Sequence, residues 1–551
     1  MSWLWSRKSQ EWNLDEVEAP WAEKESLYSY VQSHIVEGKP GLGGEAGQLP
    51  DIEDSSPLSW AAGAQDGSYS YHFGDEPPVR QVRKLHRLLH QTLSKLTSKR
   101  LKQLYDSLLQ VHTIEIMDAL LNEIMEQEKI DPIRLEEFAL WLIKTAPDRE
   151  PVKFGIGLLN LFQEKDYNEI LLTLGRHDEF TLYCAVALKN RNKDPEVPLF
   201  ELAQSVHGWG RVHTVALLVE VISSPEIRQW LLLEGYKNEV MHEYLAYSCA
   251  VAGELRQALN AKEMDEQHLV AIAGLLRALL NGGPVESMEH YEDGVAVIEG
   301  YLYHLGSNPQ DLEHFFVLAQ LESFLNRLSS ESSSGEEIGE GYEEFVRHRQ
   351  ESLEELGWTS EVQARLLHQV TTLLNLPHWR EHVTDMLQQN DLEEYHPALQ
   401  AAEVLKIDLW NWHFERIQEG KGHEVGWLSV AETTDPSRMA KVVALAEKQF
   451  PLEKMKQSVS SEPLSEMSSL FEQLSFVVYQ LSAFPSLGWP LVKVCLQSPT
   501  DFVRAAAIET LAAWGHDHWP VGASELLRQL RRHEPDEDLR AMLTEILPRK
   551  S

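Results

Sequence analysis

SPTDFVRAAAIETLAAW, residues 498–514, decides how this chain is read. A Pro and an Asp open it, a Val-Arg pair follows, then three alanines, then Ile508 and Leu511 on one helical stripe. That order predicts the second helix of a stacked helix-pair repeat. Asp501 caps the helix and Val503 enters the core. Ala505, Ala506 and Ala507 admit a close neighbour, while Arg504 reaches sideways to a carboxylate or carbonyl of the next unit.

Looser copies lie upstream. APDREPVKFGIGLLNLF (146–162) carries Asp148, Val152, Gly155 and Leu158 in the same order, and HDEFTLYCAVALKN (177–190) and HGWGRVHTVALLVEV (207–221) follow. Their starts are roughly 30 residues apart, the period of two short helices plus turns. From Val79 an apolar stripe of Val82, Leu85, Leu88, Leu89 and Leu96 begins, and helices are predicted through 114–126, 134–144, 225–256 and again from Tyr342 to the C-terminus. No segment alternates apolar and polar residues long enough to require a strand. The expectation is an all-α chain, a HEAT-like α-solenoid of stacked helix pairs with an extended N-terminal segment.

Four regions follow from composition. Residues 1–78 hold Trp3, Trp5, Trp12 and Trp21, a short helix near Glu23–His34 and the loop GKPGLGGEAGQLPDIEDSSP, and are expected to be extended and only partly ordered. The tryptophans read first as packing into a groove of the same chain and second as a partner-binding motif. A helical array spans 79–327, a Ser/Gly/Glu-rich linker 328–341, and a second array 342–551.

The charge narrows the partners. Eighty-six acids against 49 bases leave a formal −37, which repels phosphate backbones and anionic lipid and favours basic or neutral partners. A DNA-glycosylase reading of a helical-repeat chain is disfavoured on that ground. Three cysteines, Cys184, Cys249 and Cys495, sit far apart in apolar helical stretches, which suits core packing in a reducing cytoplasm better than disulfides. No window holds the ~18 apolar residues a membrane helix needs, and no apolar run follows Arg7 and Lys8 to form a secretory signal. One stretch reverses the sign: residues 79–105 contain Arg80, Arg83, Lys84, Arg87, Lys95, Lys99, Arg100 and Lys102 and no acid. It reads either as a basic amphipathic helix for an acidic partner or membrane surface, or as a terminal repeat whose basic face lies against acids of the same chain.

Motifs with chemistry are sparse. His378-Trp-Arg-Glu381-His382 has the H-x-x-E-H spacing that places two imidazoles on one helix face, where zinc can be held; the plainer reading is a surface pair after Pro377. Two E-x-x-H pairs, Glu239/His242 and Glu393/His396, have the spacing of di-iron carboxylate bundles but are about as frequent as composition alone provides. Gly41-Leu-Gly43-Gly44-Glu-Ala46 meets a loose dinucleotide fingerprint without a strand before it, and Gly155-Ile-Gly157 lies in a helical stripe. No catalytic, cofactor-binding or metal-binding residue set is assigned from these patterns.

LFELAQSVHGWGRVHTVALL (199–218) and WLLLEGYKNEVMHEYLAYSCAVAGEL (230–255) resemble a family of bacterial HEAT-repeat proteins that carries the name limonene hydroxylase. The likeness runs from about residue 80 onward. It implies oxidation of the monoterpene limonene to carveol or perillyl alcohol, and onward to carvone or perillaldehyde with NAD(P). No family motif carries a role onto a residue of this sequence. Set beside that implication, the residues themselves lead to a cytoplasmic scaffold that binds a protein or peptide on the surface of its helical array, without a membrane or nucleic acid as partner.

Overall fold

Residues 501–514 form one helix, Asp501–Trp514, and its buried face is the one the sequence stripe marks: Val503, Ala507, Ile508, Leu511 and Trp514 are all 2% exposed or less. Arg504 extends sideways, with Nε and Nη2 donating to the two carboxylate oxygens of Glu534 at 3.0 and 2.7 Å and Nη1 donating to the carbonyls of Ser498 and Pro499. Thr500, not Asp501, occupies the capping position. Asp501 is the first helical residue, and its carboxylate accepts from the Phe502 amide, favourable beside a helix N-terminus but not a cap.

The computed structural model describes residues 12–21, 24–36, 38–44, 46–51, 60–72, 77–127, 130–162, 166–307, 309–330, 340–388, 395–420, 424–457 and 465–547. Among the described residues there are thirty α-helices and no strand; the β-type pairing is a lone bridge between Ile35 and Leu42. No described helix is long and apolar enough to cross a membrane. The chain divides into two compact units, Met1–His382 and Val383–Ser551.

In the first unit, Pro132–Thr145, Arg149–Leu159, Asp178–Arg191, Trp209–Leu218, Glu243–Ala252, Glu266–Asn281, Leu312–Ser330 and Ser360–Leu374 each pack on the next in chain order. Shorter helices such as Glu196–Gln204 flank this row. The row buries fully apolar faces (Phe154, Phe180, Leu188, Val212, Leu245 and Leu276 are all at 0%), each contributing about 1.5–3 kcal/mol relative to exposure. Close spacing is achieved with small residues. A Cβ on Gly155 would stand 2.9 Å from the Ala139 carbonyl oxygen and one on Gly157 2.4 Å from the Met117 methyl carbon, so the helix accepts glycines that lower its own propensity to let its neighbours in.

Two α-helices lie among the described residues of the N-terminal region. Leu27–Ser33 is a helix capped by Ser26, its Leu27 and Val31 fully buried, and the Leu27 amide donates to the Ala146 carbonyl. A second helix, Ala64–His72, was not legible as one. Trp21 is buried between Tyr105 and Trp141, with ring centroids at 4.6 and 4.7 Å. Trp12 lies under the Arg134 guanidinium and donates to Glu137. Those two tryptophans therefore pack within the chain; Trp3 and Trp5 lie outside the described residues.

The Ser/Gly/Glu stretch 328–341 does not coincide with the division between units. Leu312–Ser330 and Glu340–Glu355 take in its two ends, and 331–339 lie outside the described residues. Helices on both sides of it join the same unit, because Arg349 grips Glu289, Thr371 donates to Glu322 and Phe324 meets Trp358 edge-on.

In the second unit, Asp501–Trp514 packs on Ser465–Gln480, Trp489–Cys495 and Glu537–Ile546. Its core gathers Trp410, Trp427, Phe450, Phe471, Leu481 and Trp514. The Trp514 indole donates to the Leu481 carbonyl and the Thr510 hydroxyl to that of Val478, so the polar atoms this helix buries find acceptors on its neighbours.

Candidate functional site

Three charged or polar groupings stand out in the first unit, and they differ in what they can do. The first is a buried ion network at the N-termini of successive helices. Lys153, 2% exposed, places Nζ 2.6 Å from Glu179, 2.7 Å from Asp66 and 3.5 Å from Glu150. Arg149 grips Asp51 through Nε and Nη2 at 3.0 and 2.9 Å and stands 3.3 Å from Glu179. Glu179 also accepts from the Gly63 amide at 3.0 Å, and Glu150 from the Thr113 amide at 2.7 Å.

Burial by itself would raise the Glu179 carboxyl, but Lys153, Arg149 and the Gly63 amide hold it down at about 2. Burial would lower Lys153, but Glu150, Asp66 and Glu179 raise it above its ordinary value. Asp66 is raised by its burial despite Lys153. Every charge here faces a partner, so the network fastens the N-terminal region to the array. Asp51, Gly63 and Asp66 come from that region; Glu150, Lys153 and Glu179 come from the array.

The second grouping continues the same seam. Asp178 caps the neighbouring helix by accepting from the Gly210 amide at 2.6 Å, and its burial raises it to about 6. Tyr71 of the 64–72 helix lies against Trp209, His213 and Tyr244, and His72 meets the Tyr244 hydroxyl at 2.9 Å. Burial pushes His177 and His213 down to about 4, so both are neutral near pH 7.

The third grouping is open to solvent. Three neighbouring grooves of about 510, 670 and 540 Å³ lie along residues 225–313. Two backbone irregularities build their walls. Leu231–Gly235 is a single π-turn, whose Leu232 and Leu233 face the first groove and Glu234 the second. Glu254 adopts a left-handed backbone (φ 54°) and lines the first and third grooves. Such departures from regular geometry are costly and collect at functional surfaces.

Charge in the grooves is strongly biased. Each Lys or Arg in their walls is already matched: Arg228 to Glu254 at 2.8 Å, Lys237 to Glu234 at 2.8 Å, Arg277 to Glu313 at 2.8 Å and Arg256 to Asp293 at 2.6 Å. Glu243, Glu263, Glu292, Asp265 and Asp311 remain in the same walls without a Lys or Arg partner among the described residues. Beneath them, Leu232, Leu233, Met264 and Ile272 give the first groove an apolar floor, and half-exposed Val251 edges the third.

Of the residues in the sequence motifs, His242 lines the second groove, and no motif partner joins it in the groove linings. His378, Glu381 and His382 do lie on one helix, His378–Gln388, but the His378 Nε2 is occupied by the Pro309 carbonyl at 2.7 Å. Glu239 precedes the 243–252 helix, and His242 is its capping residue, with its ring set edge-on to Tyr236. Glu393 lies outside the described residues and His396 stands in the first turn of Tyr395–Val404. Among the described residues no three His, Cys, Asp or Glu side chains gather as a metal site. Cys184, Cys249 and Cys495 are buried, and burial raises each thiol well above its ordinary value.

Gly41, Gly43 and Gly44 do not fit a nicotinamide nucleotide. Among the described residues no strand precedes them and no helix follows them directly, and a Cβ on Gly43 would sit 2.5 Å from the Val36 side chain, so the loop is folded tightly on its own chain. The eight bases of 79–105 lie on Val79–Ser94, Ser98–Leu108 and the turn between them. Lys102 stands 3.5 Å from Asp106 of the same chain, whereas Arg80, Arg83, Lys84 and Arg87 are solvent-exposed and make no ion pair with a described residue. No protein-family model matches this chain and no curated protein matches it.

Proposed function

We propose that this protein is a HEAT-like α-solenoid scaffold that binds a basic or neutral segment of another protein in the grooves along residues 225–313. The row of helices packed one on the next supports the solenoid reading. The observation that carries the binding reading is the arrangement of charge: groove cations are already matched within the wall, which leaves carboxylates for an incoming Lys or Arg above an apolar floor. Grooves of this volume accept a side chain or short peptide rather than a broad protein face. Recognition is then noncovalent, with apolar contacts giving affinity and the carboxylates giving sign selectivity and a salt-dependent on-rate.

The test is titration of the full chain with a fluorescent peptide alternating lysine and leucine, against the variant Glu263→Lys/Glu292→Lys. Binding that weakens at least about tenfold in the variant, and weakens with added salt, supports the reading. Equal binding to both proteins, or none to either, removes it.

One observation favours a second reading. The apolar floor formed by Leu232, Leu233, Met264 and Ile272 suits a small apolar molecule, as the limonene oxidation implied by the resemblance requires. Gas chromatography after incubating limonene with the purified chain and NADPH tests it, and carveol or perillyl alcohol formed in proportion to protein would displace the scaffold reading.

A further inference from the structure

The exposed face of Val79–Ser94 is a second surface, of opposite sign. Arg80, Arg83, Lys84 and Arg87 fall at i, i+3, i+4 and i+7, so the four cations share one stripe about 10 Å long. The apolar side of the helix is used up: Val82, Leu85, Leu89 and Leu93 are buried at 3% or less against the helices that follow. The helix contains no acid, and none of the four bases pairs with a described acid from the Ser98–Leu108 or Thr113–Gln127 helices packed on it.

The placement works against the helix itself. Arg80 falls in its first turn, where the helix dipole repels a cation, and Pro78 supplies no side-chain cap there. The chain carries a formal −37, yet among the described residues no carboxylate pairs with this stripe. Four exposed cations on one stripe, without an ion pair among the described residues, are suited to an external anion.

We propose that this stripe docks an acidic polypeptide segment, one with Asp or Glu side chains repeating every three to four residues. Two other polyanions fit less well. An anionic bilayer is engaged by a helix that lowers apolar side chains into the lipid, and here only Val79 is left on the outer side for that. A nucleic acid presents phosphates over a length far beyond this stripe and would meet the acidic remainder of the surface, whereas a short acidic segment stays within the screening distance of about 8 Å. The inference goes beyond the groove reading and does not depend on it, since the two surfaces select opposite charges.

The experiment uses the full chain and three probes: a fluorescent oligo-glutamate peptide, phosphatidylserine vesicles and duplex DNA. All four positions are exposed, so Arg83→Glu/Arg87→Glu is expected to keep the parent circular dichroism spectrum; Arg83→Gln/Arg87→Gln is the milder control. Oligo-glutamate binding that falls at least about tenfold in the glutamate variant, less in the glutamine variant, and weakens with salt supports the proposal. It is overturned if the peptide binds parent and variant alike, if it binds neither, or if vesicles or DNA bind in its place. The lysine-leucine peptide provides the internal check, since its binding reports the grooves and is expected to survive both arginine variants.

Discussion

Arg149 and Asp51, 98 positions apart, form a two-pronged ion pair in which the Arg149 backbone amide also donates to the same carboxylate at 2.9 Å. One acid thus satisfies both a helix N-terminus and a guanidinium. Asp51→Asn is expected to cost about 2–3 kcal/mol, since Arg149 is left partly buried with only Glu179. Chemical denaturation measures the loss, and limited proteolysis should cut first within residues 24–72.

Lys153 is the most consequential single side chain in the first unit. Lys153→Met preserves the volume of the stem and removes the charge, stranding Asp66, Glu150 and Glu179 together. The expected loss is about 3–5 kcal/mol. Adding Asp66→Asn should restore part of it, because one of three repelling carboxylates disappears; a double-mutant cycle with no recovery would show that Asp66 does not share this network.

Acid should destabilise the chain in stages. His177 and His213 have folded values near 4 against an ordinary 6.5, so the unfolded chain takes up their protons first and their stabilisation, full above pH 6.5, is lost as pH falls through about 4. Glu179, at about 2 against 4.5, loses its contribution between those values. Asp178 acts in the opposite direction: raised from 3.8 to about 6, it favours the folded state below pH 3.8 and loses that benefit as pH rises through 6. Asp66, also raised, acts with Asp178, but His242 and His413 are lowered by burial like His177 and His213. Four groups outweigh two, so stability should fall between pH 6.5 and 4, and His213→Phe should flatten that slope in a series of Tm measurements.

In the second unit Arg504→Ala leaves Glu534 buried without its cation and is expected to cost about 3–5 kcal/mol. Arg504→Lys keeps the charge but cannot span both oxygens and two carbonyls, so its loss should be intermediate. Thermal unfolding of the two variants checks the order.

The helical array was legible because its code is local. A run such as Val503 to Leu511 states its own period, and Arg504 is positioned by the same helix that sets the stripe. The N-terminal region was not, because its anchors are single residues with distant partners: Gly63 meets Glu179 across 116 positions and His72 meets Tyr244 across 172. The Ala64–His72 helix, AQDGSYSYH, has no apolar stripe of its own. Its Gly67 lies so close to Trp209 that a Cβ would come within 2.2 Å of the indole, a contact that no local pattern announces. The grooves were hidden for a related reason, since a π-turn at Leu231–Gly235 and a left-handed Glu254 leave no trace in composition. The basic stripe was legible, but only the coordinates show that nothing in the described chain answers it.

The N-terminal strap has a bearing on birth order at the ribosome. Residues 12–72 are translated before the parts that receive them, since their resting places are built from Trp141, Arg149, Glu179, Trp209 and Tyr244. Tyr71 and His72 therefore stay without Tyr244 until roughly a further 170 residues have been translated, on the order of ten to thirty seconds at about 5–20 residues per second. Docking of the 64–72 helix then reports that the helices receiving it have been assembled, so a segment made before them settles after them.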